Sequence, residues 1–232
     1  GFPQKSKVWI DVAEHAELIS ITEKEENGAI SVVTKHRFPT VQSEYHTTYT
    51  LTDEGNILID AWFLAAPNQY YPALPRIGYR FELVDTYESA SWFGRGPHEN
   101  YWDRKSSAFF GRYSMPIAEL SHGYVRPQEN GHRADVYEVS FFEKSNAETP
   151  SITFKGRPLI GFNAQYTDWL DYDTTEKTGL HPHEIPVKPN AFINIDFKQR
   201  GVAGTDSWMT PPLFKYTLPW RDYHYQFEIA LN

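Results

Sequence analysis

Alternation of apolar and polar side chains, repeated at short intervals and separated by turn residues, constrains this chain more than any other feature. Period-two runs cover residues 17–22, 29–38, 45–51, 57–64, 76–84 and 136–142, the spacing at which successive side chains fall on opposite faces of a strand. Asn27-Gly28, between the first two runs, is the pair that a two-residue type I′ hairpin turn demands, and Asp53-Glu54-Gly55-Asn56 suits a four-residue loop. Further strands are expected at 151–155, 160–166, 192–198, 214–218 and 223–231, with prolines in the gaps. Residues 168–178 pattern as a short helix capped by Thr167 or Asp168 and stopped by Gly179, and Pro182, Pro186 and Pro189 forbid its continuation.

Fifteen Tyr, fifteen Phe and seven Trp in 232 residues suit broad pleated surfaces and sugar-facing platforms better than helical bundles. No internal repeat, low-complexity tract or flexible linker divides the sequence, and strands do not alternate with helices. The predicted fold is therefore all-β: a large antiparallel sandwich forming one domain over residues 1–232.

A net charge of −8, with Lys and Arg scattered among acids, argues against a nucleic-acid surface. No apolar run approaches the length of a membrane span and no secretory signal opens the chain, so a soluble protein is expected. The absence of cysteine removes disulfides, thiolate nucleophiles and Cys-based zinc sites, and is compatible with the cytoplasm. The chain opens Gly1-Phe2 without Met, as a piece of something longer would.

The most distinctive segment is Trp92-Phe93-Gly94-Arg95-Gly96-Pro97-His98-Glu99-Asn100-Tyr101-Trp102-Asp103-Arg104-Lys105. Gly94 and Gly96 are expected to take backbone angles that a β-carbon forbids, and Pro97 fixes its own φ, which together predict a rigid bend. Its polar groups, Arg95, His98, Glu99, Asn100, Asp103 and Arg104, read either as a polar sugar pocket or as a salt-bridged corner. The glycines are no dinucleotide fingerprint, because a third glycine is missing and Pro97 opposes the helix start such a loop needs.

This block resembles the small-chain, carboxy-terminal region of the large bacterial family-2 β-galactosidases. So do Leu74-Pro75-Arg76-Ile77-Gly78-Tyr79-Arg80-Phe81, Phe110-Gly111-Arg112-Tyr113, Tyr124-Val125-Arg126-Pro127-Gln128-Glu129-Asn130-Gly131, Phe192-Ile193-Asn194-Ile195-Asp196, Gly204-Thr205-Asp206-Ser207-Trp208 and Tyr223-His224-Tyr225-Gln226, in that order. The resemblance implies a supersandwich of the galactose-mutarotase-like type packed beside an upstream catalytic barrel. It also implies an amino-terminal truncation, since the Arg-Ala-Pro and Asp-Asn-Asp segments with which that domain opens are missing.

Retaining glycoside hydrolysis uses two carboxyl groups about 5 to 5.5 Å apart. The resemblance places both catalytic glutamates in the barrel, so neither Glu99 nor Glu129 is assigned that role, no catalytic residue is expected here, and the isolated chain should not hydrolyse lactose. It points instead to Trp208, matching a tryptophan that the family projects into the sugar site, where an indole face can stack on a pyranose. The plainer reading of Trp208 is sandwich core. Its setting between Gly201, Gly204, Thr205, Asp206 and Ser207 on one side and Pro211-Pro212 on the other is that of a loop. The family's sugar contacts also lie outside 92–105, and its members vary at positions 95 and 98, which favours the corner reading there. Magnesium and sodium serve the parent family through upstream ligands, so no cofactor is expected in this chain. The implied partners are a galactoside and the catalytic barrel, on the same chain or a separate subunit, in an oligomeric parent.

Two other functions fit parts of the sequence. A free-standing aldose epimerase would draw its acids and base from His98, His122, His132 and Glu129, and a carbohydrate-binding module would need only the platforms. His181-Pro182-His183-Glu184 offers imidazoles and a carboxylate that suit zinc, yet lacks a fourth defined ligand and reads as an exposed loop. Gln128, Glu129 and Asn130 carry groups that read sugar hydroxyls, and a turn between sheets explains them equally well.

Overall fold

The structure is a computed structural model that describes residues 6–26, 28–172, 180–203, 206 and 210–231. Eleven strands account for about half of them: β1 (Glu17–Glu26), β2 (Ala29–Phe38), β3 (Ser43–Leu51), β4 (Ile57–Leu64), β5 (Arg76–Leu83), β6 (Tyr87–Gly96), β7 (Phe109–Pro116), β8 (Arg133–Glu143), β9 (Ile152–Gln165), β10 (Ala191–Gln199) and β11 (Tyr223–Leu231). All described pairings are antiparallel. The strand-dominated, antiparallel fold expected from the alternation is what the chain adopts. Its helical segments among the described residues are short 3-10 turns.

The first four strands form the expected meander. Glu26 pairs with Ala29, and Gly28 takes φ +83°, the left-handed angle that a tight hairpin turn requires; Asn27 lies outside the described residues. Between β3 and β4 five residues intervene and not four: the Thr52 N–H donates to the Asn56 carbonyl at 2.8 Å, and Gly55 at φ +81° closes the turn.

One path of hydrogen bonds then runs β1-β2-β3-β4-β11-β9-β8-β6-β7, while β10 joins β9 to β5. β9 is the branch point. Its first half pairs with β11 as far as Arg157, and its second half pairs with β10 from Gly161 onward. The change of partner falls at Pro158, which has no N–H to give a ladder. Residues 151–155 and 160–166, expected as two strands, are thus one strand that serves two parts of the sheet.

The sheet consequently turns its faces toward each other. Tyr79 on β5 meets Tyr45 on β3 and Phe227 on β11 at ring distances of 5.9 and 5.5 Å, and Phe197 on β10 stacks on Tyr225 at 5.2 Å. Between these layers lie Trp92, Phe141, Phe154, Phe162 and Phe227, each at most 2% exposed. Each such side chain contributes about 2 to 3 kcal/mol on burial.

Three expectations need correction. Residues 214–218 are not a strand: Phe214–Tyr216 is a 3-10 turn after Pro211-Pro212, and only Leu218 bridges, to Leu74. The expected helix at 168–178 is a 3-10 turn at Trp169–Tyr172, with Asp168 Oδ1 accepting the Leu170 N–H at 2.9 Å; residues 173–179 lie outside the described residues. Gly94 and Gly96 belong to β6 and have no positive φ. They are needed for close approach: a β-carbon at 94 would sit 2.7 Å from Val136 Cα, and one at 96 would strike the Tyr113 ring at 2.8 Å.

Candidate functional site

One end of the folded sheet gathers polar groups from five segments: the start of β5, the end of β10, the second half of β9, the residues leading into β8 and the bend after β6. Asp196, on β10, is only 1% exposed, so its carboxyl group needs a partner inside the protein. Arg76 supplies the partner through a two-pronged contact, Nε to Oδ1 at 3.1 Å and Nη2 to Oδ2 at 2.5 Å, and reaches Glu129 Oε2 with Nη1 at 3.3 Å. Asn163 and Asn194 stand opposite each other in the β9–β10 ladder. Asn194 donates to Asn163 at 2.6 Å, and Asn163 donates to Glu129 Oε1 at 3.3 Å.

Burial dominates the electrostatics. It raises Asp196 and Glu129 above the usual carboxylate range, with Arg76 opposing the rise at both. It would lower Arg76 too, but the two carboxylates outweigh it and hold the guanidinium above its ordinary value. His132, 2% exposed, is held well below the ordinary imidazole value by burial and by Arg76 and Arg133. Its Nδ1 lies 3.7 Å from Asp196, beyond hydrogen-bond reach, and the lowered imidazole disfavours the charge an ion pair there would need.

The bend after β6 is closed by internal contacts. Glu99 accepts from the Gly131 N–H at 2.8 Å, from Arg104 at 2.7 Å and from the Tyr124 hydroxyl. Asn100 accepts from the Ala134 N–H at 3.1 Å and donates to the His98 carbonyl at 3.2 Å. Arg95 and Lys105 share Asp135 at 2.8 and 2.5 Å, and exposed His98 pairs with Ser107. Arg133, unflagged by sequence reading, donates to the carbonyls of Leu120, Gly131 and Pro97 at 2.5, 2.7 and 3.1 Å; burial pushes it down to about 10, still cationic at neutral pH. These groups form a bonded corner.

Asp103 differs from its neighbours in the corner. It faces away along the chain and accepts from the N–H groups of Val202 and Ala203, at 3.1 and 2.8 Å, in the segment that follows β10. Trp208, the residue singled out for sugar contact, lies outside the described residues, as do Gly204, Thr205 and Ser207.

Other candidates separate in space or are occupied. His122 packs edge-on against Tyr124 and its N–H donates to Asn130 Oδ1 at 3.0 Å, while Asn130 and Gln128 donate to the carbonyls of Gln128 and Arg126. At His181, the expected loop is a 3-10 turn in which Glu184 accepts the His181 N–H at 2.6 Å. Among the described residues no group of three or more His, Asp or Glu could hold a metal ion. No described helix is long and apolar enough to cross a membrane.

The chain is 34% identical over 174 residues to a β-galactosidase of Priestia megaterium, covering 75% of this chain and 16% of the relative. It is 30% identical over 225 residues to one of Lactococcus lactis subsp. lactis, covering 96% and 20%, and 26% identical over 229 residues to one of Halalkalibacterium halodurans, covering 98% and 22%. It therefore spans about a fifth or less of these relatives' length. Among solved structures, a galactose mutarotase related enzyme from Lactobacillus acidophilus overlaps with 92% of this chain at a TM-score of 0.40 and 9% identity, too loose a likeness to carry an argument. The family model described as β-galactosidase small chain matches residues 3–229, nearly the whole sequence, and the chain belongs to that family.

Proposed function

We propose that this chain is the small-chain part of an enzyme that hydrolyses terminal β-D-galactosides such as lactose. It packs on an upstream catalytic barrel and completes the barrel's sugar site with Trp208. The observation that carries this reading is family membership over residues 3–229 in a chain whose own acid cluster is locked in internal pairs. The two catalytic carboxylates, the magnesium and the sodium belong to the upstream part, on the same chain or a partner subunit, in an oligomeric and cytoplasmic parent. This chain contributes packing surface and an aromatic wall.

A stand-alone aldose epimerase is the weaker reading. An epimerase needs an acid and a base that both touch the sugar, whereas among its candidates His132 is sealed at 2% exposure, Glu129 is bonded to Arg76 and Asn163, and His98 is turned to Ser107. The deciding measurement is hydrolysis of a chromogenic galactoside by the full enzyme carrying Trp208→Ala and Trp208→Phe. KM should rise about tenfold or more with Ala and less with Phe, the size of a lost stacking contact. Unchanged KM and kcat in both variants would refute the sugar contact.

A further inference from the structure

On the face of β1–β4 and β11 that looks into the core, burial fades strand by strand. Residues opposite each other in an antiparallel ladder share a face. One such row runs Phe227, Ile59, Tyr49, Val32 from β11 to β2; its first two members are buried, and Val32 is 38% exposed. The next row runs Tyr225, Ala61, Thr47, Thr34, Ile21 and ends on β1 at 60% exposure. Tyr79 on β5 meets this row at Thr47, hydroxyl to hydroxyl at 2.6 Å, and the side chains farther out are open. Leu51, paired with Ile57, is 54% exposed, and Ile30, two positions from Val32 and so on its face, is 51% exposed.

The apolar pattern of the core therefore continues past the layer that covers it. Apolar side chains scattered singly over a surface need no explanation, but a contiguous set rimmed by charge marks a face that something else covers. The rim is acidic. Glu23 pairs with Val32 and Glu25 with Ile30 across the β1–β2 ladder, so both carboxylates stand on this same face. Lys24, Lys35 and Arg37 alternate onto the opposite face. A second copy of this chain would meet the patch with the same acids and with no Lys or Arg from the matching face. The complement is a surface apolar at its centre and basic at its rim.

We propose that the core-side face of the β1–β2 hairpin, with Ile21, Ile30, Val32 and Leu51 at its centre, is a seat for the upstream part of the β-galactosidase. The chain spans about a fifth or less of its relatives' length, so the greater part of such an enzyme lies outside it, and the open face continues the core of this domain without a break. The assignment rests on the small-chain reading and makes no use of Trp208.

The chain has no cysteine, so a thiol placed in it reports a single position. In the full enzyme, with the upstream part on the same chain or as its subunit, I21C and V32C should react with a maleimide about tenfold more slowly than in the urea-unfolded enzyme, because a covered residue reacts only through openings. Peptide mass spectrometry separates these labels from those on upstream thiols, and I30C serves if V32C does not assemble. A thiol-to-amine cross-linker on V32C should capture lysines of the upstream part. Labelling at 21 and 32 as fast as in urea, in an enzyme that still hydrolyses a chromogenic galactoside, overturns this face alone. So do cross-links from position 32 that join isotopically light and heavy copies of this chain, which would make the occupant a second copy. A full enzyme that hydrolyses no galactoside refutes the small-chain reading instead.

Discussion

β1 and the bend between β6 and β7 make opposite use of their residues. β1 keeps a ladder with β2 over its ten residues, broken only by one shift near Ser20, yet nine of those residues are exposed and Ile21 stands 60% open. The bend has almost no ladder, yet Asn100, Tyr101 and Ala108 are at most 1% exposed, Arg104 pairs with Glu99, and Arg95 and Lys105 share Asp135. A ladder gives a segment its shape, but immobility comes from contacts made on several sides. β1 leans on a single neighbour and guards its open edge with Glu23, Lys24, Glu25 and Glu26. The bend is held by the loop before β8, by β8 itself and by the segment after β10.

Three perturbations, from the largest expected effect to the smallest, would sharpen or break that contrast. Arg133→Met removes the donor to three carbonyls at the bend and should cost about 3 to 5 kcal/mol in urea unfolding; a cost below about 1 kcal/mol would mean the corner is not held from that side. The second is acidification. His132 stays neutral in the fold while its unfolded counterpart takes a proton below about pH 6.5, so the unfolded state binds more protons and stability falls as pH drops through that point. The loss is at most about 1.4 kcal/mol per pH unit. Asp196 and Glu129, raised by burial, act in the opposite sense as pH falls toward and below their folded values. Comparison with His132→Gln isolates the imidazole, and identical pH slopes in the two proteins would contradict its burial as a neutral group. The third is Ile21→Thr on β1, which should change stability of this chain by less than about 0.5 kcal/mol; a larger loss would show that β1 is packed after all.

Much of the sheet could be read from the sequence where one strand face is apolar and its ends carry turn residues. Residues 29–38, 57–64 and 223–231 were expected at the bounds they occupy. β6 and β7 were missed. On β6 the buried positions alternate faultlessly, but they are Ala90, Trp92, Gly94 and Gly96, so burial has the period of a strand while hydrophobicity does not. β7 carries no fully buried residue, and Phe109 and Phe110 point outward at 73% and 46% exposure. The role of the glycines was misjudged for a related reason. A sequence signals that a β-carbon is absent, but only the fold shows that Val136 and Tyr113 occupy its place.

The polar end of the sheet was less legible, because its pairs are remote in sequence. Arg76 and Asp196 are 120 positions apart, Arg76 and Glu129 are 53 apart, and Asp103 reaches Ala203 across 100. The signal available was an acid beside Phe192, Ile193 and Ile195, namely Asp196, which requires a partner without naming one. The bend was expected to be tied internally, and its ties are now specific: Glu99 to Gly131, Arg104 and Tyr124, and Arg95 and Lys105 to Asp135.

β11 comes last among the described strands yet sits inside the sheet, hydrogen-bonded to β4 on one side and β9 on the other. During synthesis, then, β4 and β9 must wait as open edges until residues 223–231 leave the ribosome. Most of the apolar surface gathered by β3, β4 and β9 stays unsealed for that interval, when strand edges are prone to capture by neighbouring chains. Deleting residues 223–231 would remove the strand that joins β4 to β9, turning a small loss of length into exposure of two adhesive edges.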